Sequence, residues 1–451
     1  MAIDAAQKEA VLKTLPAGRV FLDLTGYPDY VKDATELVFL PDALFFAESE
    51  DEVGAAIKLC RRIGLPLIIR GAGTGYSGGA LAVKGGLLVS IEWLNQIVIN
   101  PREKTAVAGP GAITGDIMKA AESFGLFYPP DPASFEESTI GGNLAENAGG
   151  LRCKKYGVTK DYVLAVRGID ADGNAITLNQ QSPYGLIELL VGSEGTLFVF
   201  TEITLRLINL PAKGKTIQAT FNSAVDAALV VSEVMAAGIV PCAMEFMDRD
   251  AVACSNDYDP EHRIDAGAGM LLFETDGTHA EAEAAAIMDI CRRHKSHFLR
   301  IAEDQDQRDI LWRIRRNLSD AVKKSVKSKT AEDVCVPPSR LPELVAFVEQ
   351  LSREYSVRIN CYGHAGDGNL HVNFLGMTGS EQELRETEAG VPRLFDKTLQ
   401  LGGTLSGEHG IGITKKDYLC HEFDPSTIAF MKRVKAALDP NGVFNPGKIF
   451  A

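Results

Sequence analysis

No uncharged apolar run in this chain of 451 residues reaches the roughly 18 residues that a membrane-spanning helix requires. The opening, MAIDAAQKEAVLKTL, lacks a basic stretch followed by an apolar core, so it does not read as a secretory signal, and the cytoplasm is the expected location. None of the eight cysteines forms a CxxC pair; they are scattered singly from Cys60 to Cys420. That pattern excludes an iron–sulfur framework and argues for reduced, buried thiols rather than disulfides. Positive charge is in short supply, with 46 Lys and Arg against 60 Asp and Glu, a net charge of −14. A surface of this sign repels nucleic acid and anionic lipid, although a local basic pocket can still take a small anion. No histidine precedes His262.

What is present is average for a globular protein: 45% hydrophobic and 24% charged residues. A chain of this length buries enough surface to fold without metals or disulfides, as three domains or as two larger ones. The first 210 residues are rich in glycine and alternate between short strands and helices. Ser49-Glu50-Asp51-Glu52 reads as a capping box, followed by Val53, Ile57, Cys60 and Ile63 at helical spacing and by Gly64 as the stop. Leu65–Arg70 then reads as a buried strand. Thr114 is expected to cap a second helix that ends at Gly125, and Asn209–Thr216 reads as a linker. Beyond it the pattern predicts longer helices near 223–238, 279–295, 309–328, 340–355 and 380–401.

Directly after the strand come Arg70, Gly71, Ala72, Gly73, Thr74, Gly75, Tyr76, Ser77, Gly78 and Gly79. Five glycines in nine positions let backbone N–H groups converge on an anion such as a pyrophosphate. The run is not a dinucleotide fingerprint, because Tyr76 stands where GxGxxG requires its last glycine; nor is it a Walker loop. The proline-rich Tyr128–Pro132 leads into the Gly-rich Glu137–Gly150, with Lys155-Tyr156-Gly157 close behind, and Val191–Leu197 adds a third segment with two glycines.

A second cluster lies near the C-terminus. Val357–His364 alternates like a strand, with Arg358, Asn360, Tyr362 and His364 on one face; Ala365–Asn369 has turn chemistry; Leu370–Phe374 alternates again, with His371 and Asn373 on its polar face. Such a hairpin would bring His364 and His371 together, and Gly403–Gly412 offers Glu408 and His409 nearby in sequence. Two imidazoles and a carboxylate suit Zn²⁺ or Mn²⁺ with positions left open for a substrate. In the helical run 311–322, Arg315 and Ser319 share a face at i, i+4. Guanidinium geometry suits a carboxylate, with Arg313 and Arg316 as register alternatives.

The glycine-rich segments, in this order and spacing, resemble the FAD-binding domain of the vanillyl-alcohol oxidase flavoprotein superfamily. Within it the chain resembles the D-2-hydroxyacid dehydrogenase branch, which includes D-lactate dehydrogenase, the FAD subunit of glycolate oxidase and D-2-hydroxyglutarate dehydrogenase. The resemblance implies an α+β fold: a two-subdomain FAD-binding domain over residues 1–211, an α+β cap domain over 212–412 that binds substrate and metal, and a segment 413–451 returning to the FAD domain. It implies that Arg70–Gly79, Pro130, Ser138, Thr139, Gly142, Asn143, Ala145, Gly149, Gly150 and Tyr156 contact FAD. Glu194 and Ile203 would lie on the adenosine side, with Asn445 and Lys448 near the isoalloxazine. The flavin is expected to be non-covalent, since a histidine tether in the FAD domain is unavailable and Cys153 is read as a free thiol.

By the same resemblance, His364, His371 and Glu408 bind a divalent metal and His409 is the base, while Arg315 and Lys329 hold the substrate carboxylate. The implied activity is oxidation of a D-2-hydroxy acid, D-lactate or glycolate in preference, to the 2-oxo acid. Electrons would leave to a quinone, an electron-transferring flavoprotein or an iron–sulfur subunit. D-2-hydroxyglutarate oxidation and a non-catalytic FAD subunit stand as alternatives, the latter expected to lack the ligands and base. The state of association stays open between a homodimer and a hetero-oligomer.

Overall fold

The computed structural model describes residues 3–265 and 267–450. The chain forms two compact units: residues 1–149, 158–210 and 408–451 make the first, and residues 150–157 and 211–407 the second.

The first unit has two sheets. In one, Val20–Phe21 pairs antiparallel with Ala43–Phe46, which runs parallel to Leu87–Ser90, which in turn runs parallel to Leu67–Arg70. The parallel pairing requires a crossover, and helix Glu50–Ile63 supplies it. Ser49 caps that helix by accepting from the Glu52 N–H, and left-handed Gly64 ends it. The reciprocal half of the expected capping box is absent, because the Glu52 carboxylate accepts from the Glu48 N–H and pairs with Arg19 instead. The second sheet is antiparallel, ordered Ile97–Asn100, Thr105–Ala108, Val199–Arg206, Val163–Ile169 and Ala175–Asn179. Helix Thr114–Glu122 begins with Ile113 at its cap position, so Thr114 is its first residue rather than its cap; the Thr114 hydroxyl accepts from Asn143 Nδ2 at 2.6 Å. The C-terminal segment returns to the first sheet, where Leu67 N–H donates to the Val443 carbonyl and Asn445 N–H to the Leu67 carbonyl.

The second unit is built on one seven-stranded antiparallel sheet: Phe298–Ile301, Lys213–Phe221, Gly269–Asp276, Ala243–Asp248, Arg358–His364, Asn369–Gly376 and Ser328–Cys335. The expected linker 209–216 therefore runs into a sheet strand: its second half, from Lys213, begins strand Lys213–Phe221 and pairs with Gly269–Asp276. The helix expected over 309–328 is two, Gln305–Arg316 and Leu318–Lys324, meeting at Asn317, and Ser328 already starts the next strand. Helices Arg249–Tyr258 and Leu318–Lys324 pack one sheet face through Val252, Leu318 and Val322 against Met247, Met270, Tyr362 and Leu375. All eight cysteines are free; Cys420 is exposed and Cys153 and Cys335 are partly exposed, so the expectation of uniformly buried thiols holds for the other five. Among the described residues no helix is long and apolar enough to cross a membrane.

Candidate active site

In the second unit, strand alternation puts the polar side chains of four neighbouring strands on one face. Tyr362 stands opposite His371, Asn360 opposite Asn373, Glu245 opposite His364, and Asp333 opposite His371. The turn between the histidine strands depends on Gly368, at φ +78°, where a Cβ would lie 1.8 Å from the Val336 carbonyl oxygen. No side chain fits there, and the tight turn sets the register that faces His364 and His371, ring centroids 5.5 Å apart at 88°. The His364 Nδ1 lies 2.9 and 3.1 Å from the two oxygens of Glu245, a carboxylate with no exposed surface. Where the second unit ends, Gly407 is pinned to the sheet, its N–H donating to the Asp333 carbonyl at 3.3 Å. Glu408 follows at once, and the donor atoms of His364, His371 and Glu408 all lie within 4.8 Å of one another. This donor set of two imidazoles and one carboxylate fits a borderline divalent cation such as Zn²⁺ or Mn²⁺.

Of the three candidate arginines, Arg313 and Arg316 are exposed and Arg315 is buried. Arg315 occupies the apolar stripe of its helix beside Leu311 and Ile314. Its Nε donates to Glu245 at 2.6 Å, its guanidinium lies 5.3 Å from the Tyr362 ring centroid, and its Nη2 is buried with no hydrogen-bond partner among the described residues. A buried guanidinium nitrogen left unspent is costly unless an anion meets it. Ser319 and Lys329 are near neighbours, Nζ to Oγ 3.4 Å. Lys323, Lys324 and Lys327 are exposed.

In the first unit, the backbone of the loop after strand Leu67–Arg70 lies close against two side chains, Thr139 and Arg70. A Cβ on Gly71 would sit 2.1 Å from Thr139 Oγ1, and one on Gly73, at φ +72°, 2.1 Å from Arg70 Nη2. At Gly75 a Cβ would meet nothing within 4 Å. Ser138 Oγ and Arg70 Nη1 are buried without partners. Open space and unspent polar groups beside converging backbone fit a phosphorylated cofactor. Ala72, Thr74 and Tyr76 are partly exposed along the loop, while Ser77, Gly78 and Pro130 are buried. Thr139 caps the short helix Ile140–Glu146, which carries Gly142, Asn143 and Ala145, with Gly149 just beyond.

Residues 409–413, which belong to the first unit, are tied to this loop and to Glu194. The His409 ring stacks on Tyr76, centroids 5.0 Å apart at 25°. The Ile413 N–H donates to the Ser77 carbonyl at 2.8 Å. Glu194 accepts from the N–H groups of Ile411 and Gly412 at 2.8 and 2.6 Å. Burial raises the Glu194 carboxyl above its usual range, and raises that of Glu146 further, with Glu194 adding repulsion. Asn445 Nδ2 donates to the carbonyls of Gly79 and Glu194. Lys448 donates to the Gly79 carbonyl, and burial pushes its amine down to about 7.

Three expected cofactor contacts have other partners. Ile203 is a core residue at the centre of its strand, paired to Ala108 and Val166. The Tyr156 hydroxyl donates to Asp276 within the second unit, to which Gly150 also belongs. Glu194 spends both carboxylate oxygens on the 411–412 backbone. Glu245 went unnoticed in the sequence; the available signal was a lone acid inside the apolar strand Ala243-Met244-Glu245-Phe246-Met247.

Comparison with known proteins agrees with this architecture. Residues 41–179 match the FAD binding domain family, and residues 210–449 match the C-terminal domain of FAD linked oxidases. The chain is 36% identical to the glycolate oxidase subunit GlcD of Bacillus subtilis, over 96% of this chain and 93% of that protein. It is 32% identical to a D-lactate dehydrogenase of Anaerostipes hadrus, over 91% and 89%. A D-2-hydroxyglutarate dehydrogenase of Stutzerimonas stutzeri is also 32% identical, over 98% of each chain. The fold is shared with p-cresol methylhydroxylase, with a TM-score of 0.81 at 16% identity over 99% of this chain and 97% of that one. The chain therefore belongs to the FAD-linked oxidases, an oxidoreductase family of the vanillyl-alcohol oxidase type whose FAD-binding domain it carries.

Proposed function

We propose that the protein oxidises a D-2-hydroxy acid to the corresponding 2-oxo acid, with D-lactate or glycolate as the favoured substrate, using non-covalent FAD and a divalent cation, Zn²⁺ or Mn²⁺. The observation that carries this reading is a pair of consecutive residues: Glu408 completes a donor set with His364 and His371, and His409 stacks on Tyr76 of the glycine loop. One peptide bond thus ties a cation ligand to a candidate base. FAD, when bound, would supply a two-electron acceptor, and a cation held by His364, His371 and Glu408 would supply Lewis acidity toward the substrate hydroxyl.

The residues do the rest. Arg315 meets the substrate carboxylate through its unspent Nη2, with Lys329 and Ser319 beside it. His409 accepts the hydroxyl proton, as an imidazole can near neutral pH. His364, His371 and Glu408 would hold the cation, and the loop 71–79 with Ser138 would hold the cofactor phosphates. Conversion of the alcohol to a carbonyl removes one proton from the hydroxyl, which His409 accepts, and a hydride equivalent from carbon, for which bound FAD would be the two-electron acceptor.

One buried guanidinium favours a single carboxylate, since Arg313 and Arg316 are exposed and add no second buried clamp. Several relatives are named as subunits, which supports reoxidation by a protein acceptor, an electron-transferring flavoprotein or an iron–sulfur subunit. The test is an anaerobic titration of the flavin with paired D- and L-hydroxy acids. Bleaching by D-lactate or glycolate and not by L-lactate is expected; a flavin bleached by none of the D-hydroxy acids, D-2-hydroxyglutarate included, overturns the reading, and one bleached by D-2-hydroxyglutarate alone moves the substrate to the dicarboxylate.

A further inference from the structure

Glu245 lies at the centre of the sheet face and is engaged by two groups that belong to different halves of the proposed chemistry. One of its oxygens accepts from Arg315 Nε at 2.6 Å, and the pair of oxygens faces His364 Nδ1 at 2.9 and 3.1 Å. The three side chains are 0%, 5% and 7% exposed for Glu245, Arg315 and His364. A carboxylate with no access to water needs its partners, and removing one from a buried ion pair is strongly destabilising. The triad is therefore a fixed unit rather than a surface pair that forms and breaks.

Two consequences follow from hydrogen-bond chemistry. A carboxylate only accepts, so Nδ1 of His364 carries the hydrogen and the lone pair stands on Nε2, the nitrogen that would then serve as a ligand. Such a carboxylate–histidine pair fixes ring orientation and strengthens the imidazole as a ligand. On the other side, Arg315 is anchored through Nε, which leaves Nη2 unspent for an anion.

We infer that Glu245 is a positioning residue that sets the ligating tautomer of His364 and the aim of Arg315 together, so that cation binding and substrate-carboxylate binding depend on one buried carboxylate. The inference rests on the cation reading given above and adds to it a residue that touches neither cofactor nor substrate.

The test uses the full-length, FAD-loaded protein stripped of metal with a chelator, and follows Mn²⁺ binding by the EPR signal of the free ion. Glu245→Gln replaces an acceptor with an amide whose NH₂ can face His364 and force its hydrogen onto Nε2. Mn²⁺ affinity should fall by about tenfold to a hundredfold, while the flavin spectrum and FAD content stay as in the wild type. The KM for glycolate should rise by more than kcat falls. A residue that merely filled space would leave the Mn²⁺ titration unmoved. Should Glu245→Gln give no soluble flavoprotein, Glu245→Asp is read the same way: it keeps the charge but withdraws the carboxylate by one methylene. Mn²⁺ affinity within twofold of the wild type in the variant overturns the inference alone. A wild type that binds no Mn²⁺ overturns the cation reading and this inference with it.

Discussion

In the loop 71–79 of the first unit, five of nine residues have no side chain, whereas around His364 in the second unit every other residue carries a polar one. The loop makes its site from backbone: Gly71 and Gly73 lie so close to Thr139 and Arg70 that no Cβ fits. The sheet face makes its site from side chains projected by alternation, with the backbone spent on the ladder. The two kinds of site fail differently. Adding a methyl damages the first, while swapping one polar group for another damages the second.

The largest effect should come from a cation ligand. His371→Asn should abolish stoichiometric Mn²⁺ or Zn²⁺ binding and slow flavin reduction by about a thousandfold or more, with FAD content unchanged; elemental analysis and stopped-flow absorbance read both. Next, His409→Ala should slow reduction by about a hundredfold to ten-thousandfold while flavin and cation remain bound. Reduction at the wild-type rate would remove His409 from the chemistry. A methyl in the loop should do the reverse of these. Gly73→Ala combines φ +72° with a 2.1 Å approach to Arg70 Nη2, so FAD affinity should drop roughly tenfold with Mn²⁺ binding intact. If both variants lost both ligands, the division of labour between the two regions would not stand.

The smallest effect concerns stability rather than chemistry. Burial raises the Asp248 carboxyl from its ordinary 3.8 to about 7. Between those values the folded chain holds a proton that the unfolded chain has released, so this group's contribution is full below about pH 4 and lost as pH rises through 7. Asp248→Asn removes the titration and can still cap helix Arg249–Tyr258. The melting temperature of this variant relative to wild type should therefore climb by a few degrees from pH 4 to pH 8; a flat difference contradicts the assignment.

Much of the loop was legible in sequence because glycine spacing after an apolar strand has few other uses, and Gly64 as a helix stop needs only local conformation. The histidine hairpin was legible for a similar reason: alternation around a Gly-containing turn fixes which side chains share a face. The break at Asn317 was not, because apolar spacing continues through it and Asn317 keeps near-helical angles. Arg315 could have been separated from Arg313 and Arg316 by its place in the apolar stripe of Leu311 and Ile314. Glu245 was hidden because a single acid in a strand reads as a solvent-facing residue until the opposing strands are known; its meaning is created by His364, 119 residues away, and Arg315, 70 residues away. Ile203 and Tyr156 show the converse, residues suggested by family resemblance whose side chains are occupied by the core and by Asp276.

The most direct measurement of the central claim, that a cation and His409 act together on the alcohol, is anaerobic flavin reduction by glycolate before and after chelation. Chelated protein should keep its yellow flavin yet reduce it at least about a hundredfold more slowly, and Mn²⁺ or Zn²⁺ added back should restore the rate. Full-speed reduction by protein shown to contain no divalent metal would contradict it.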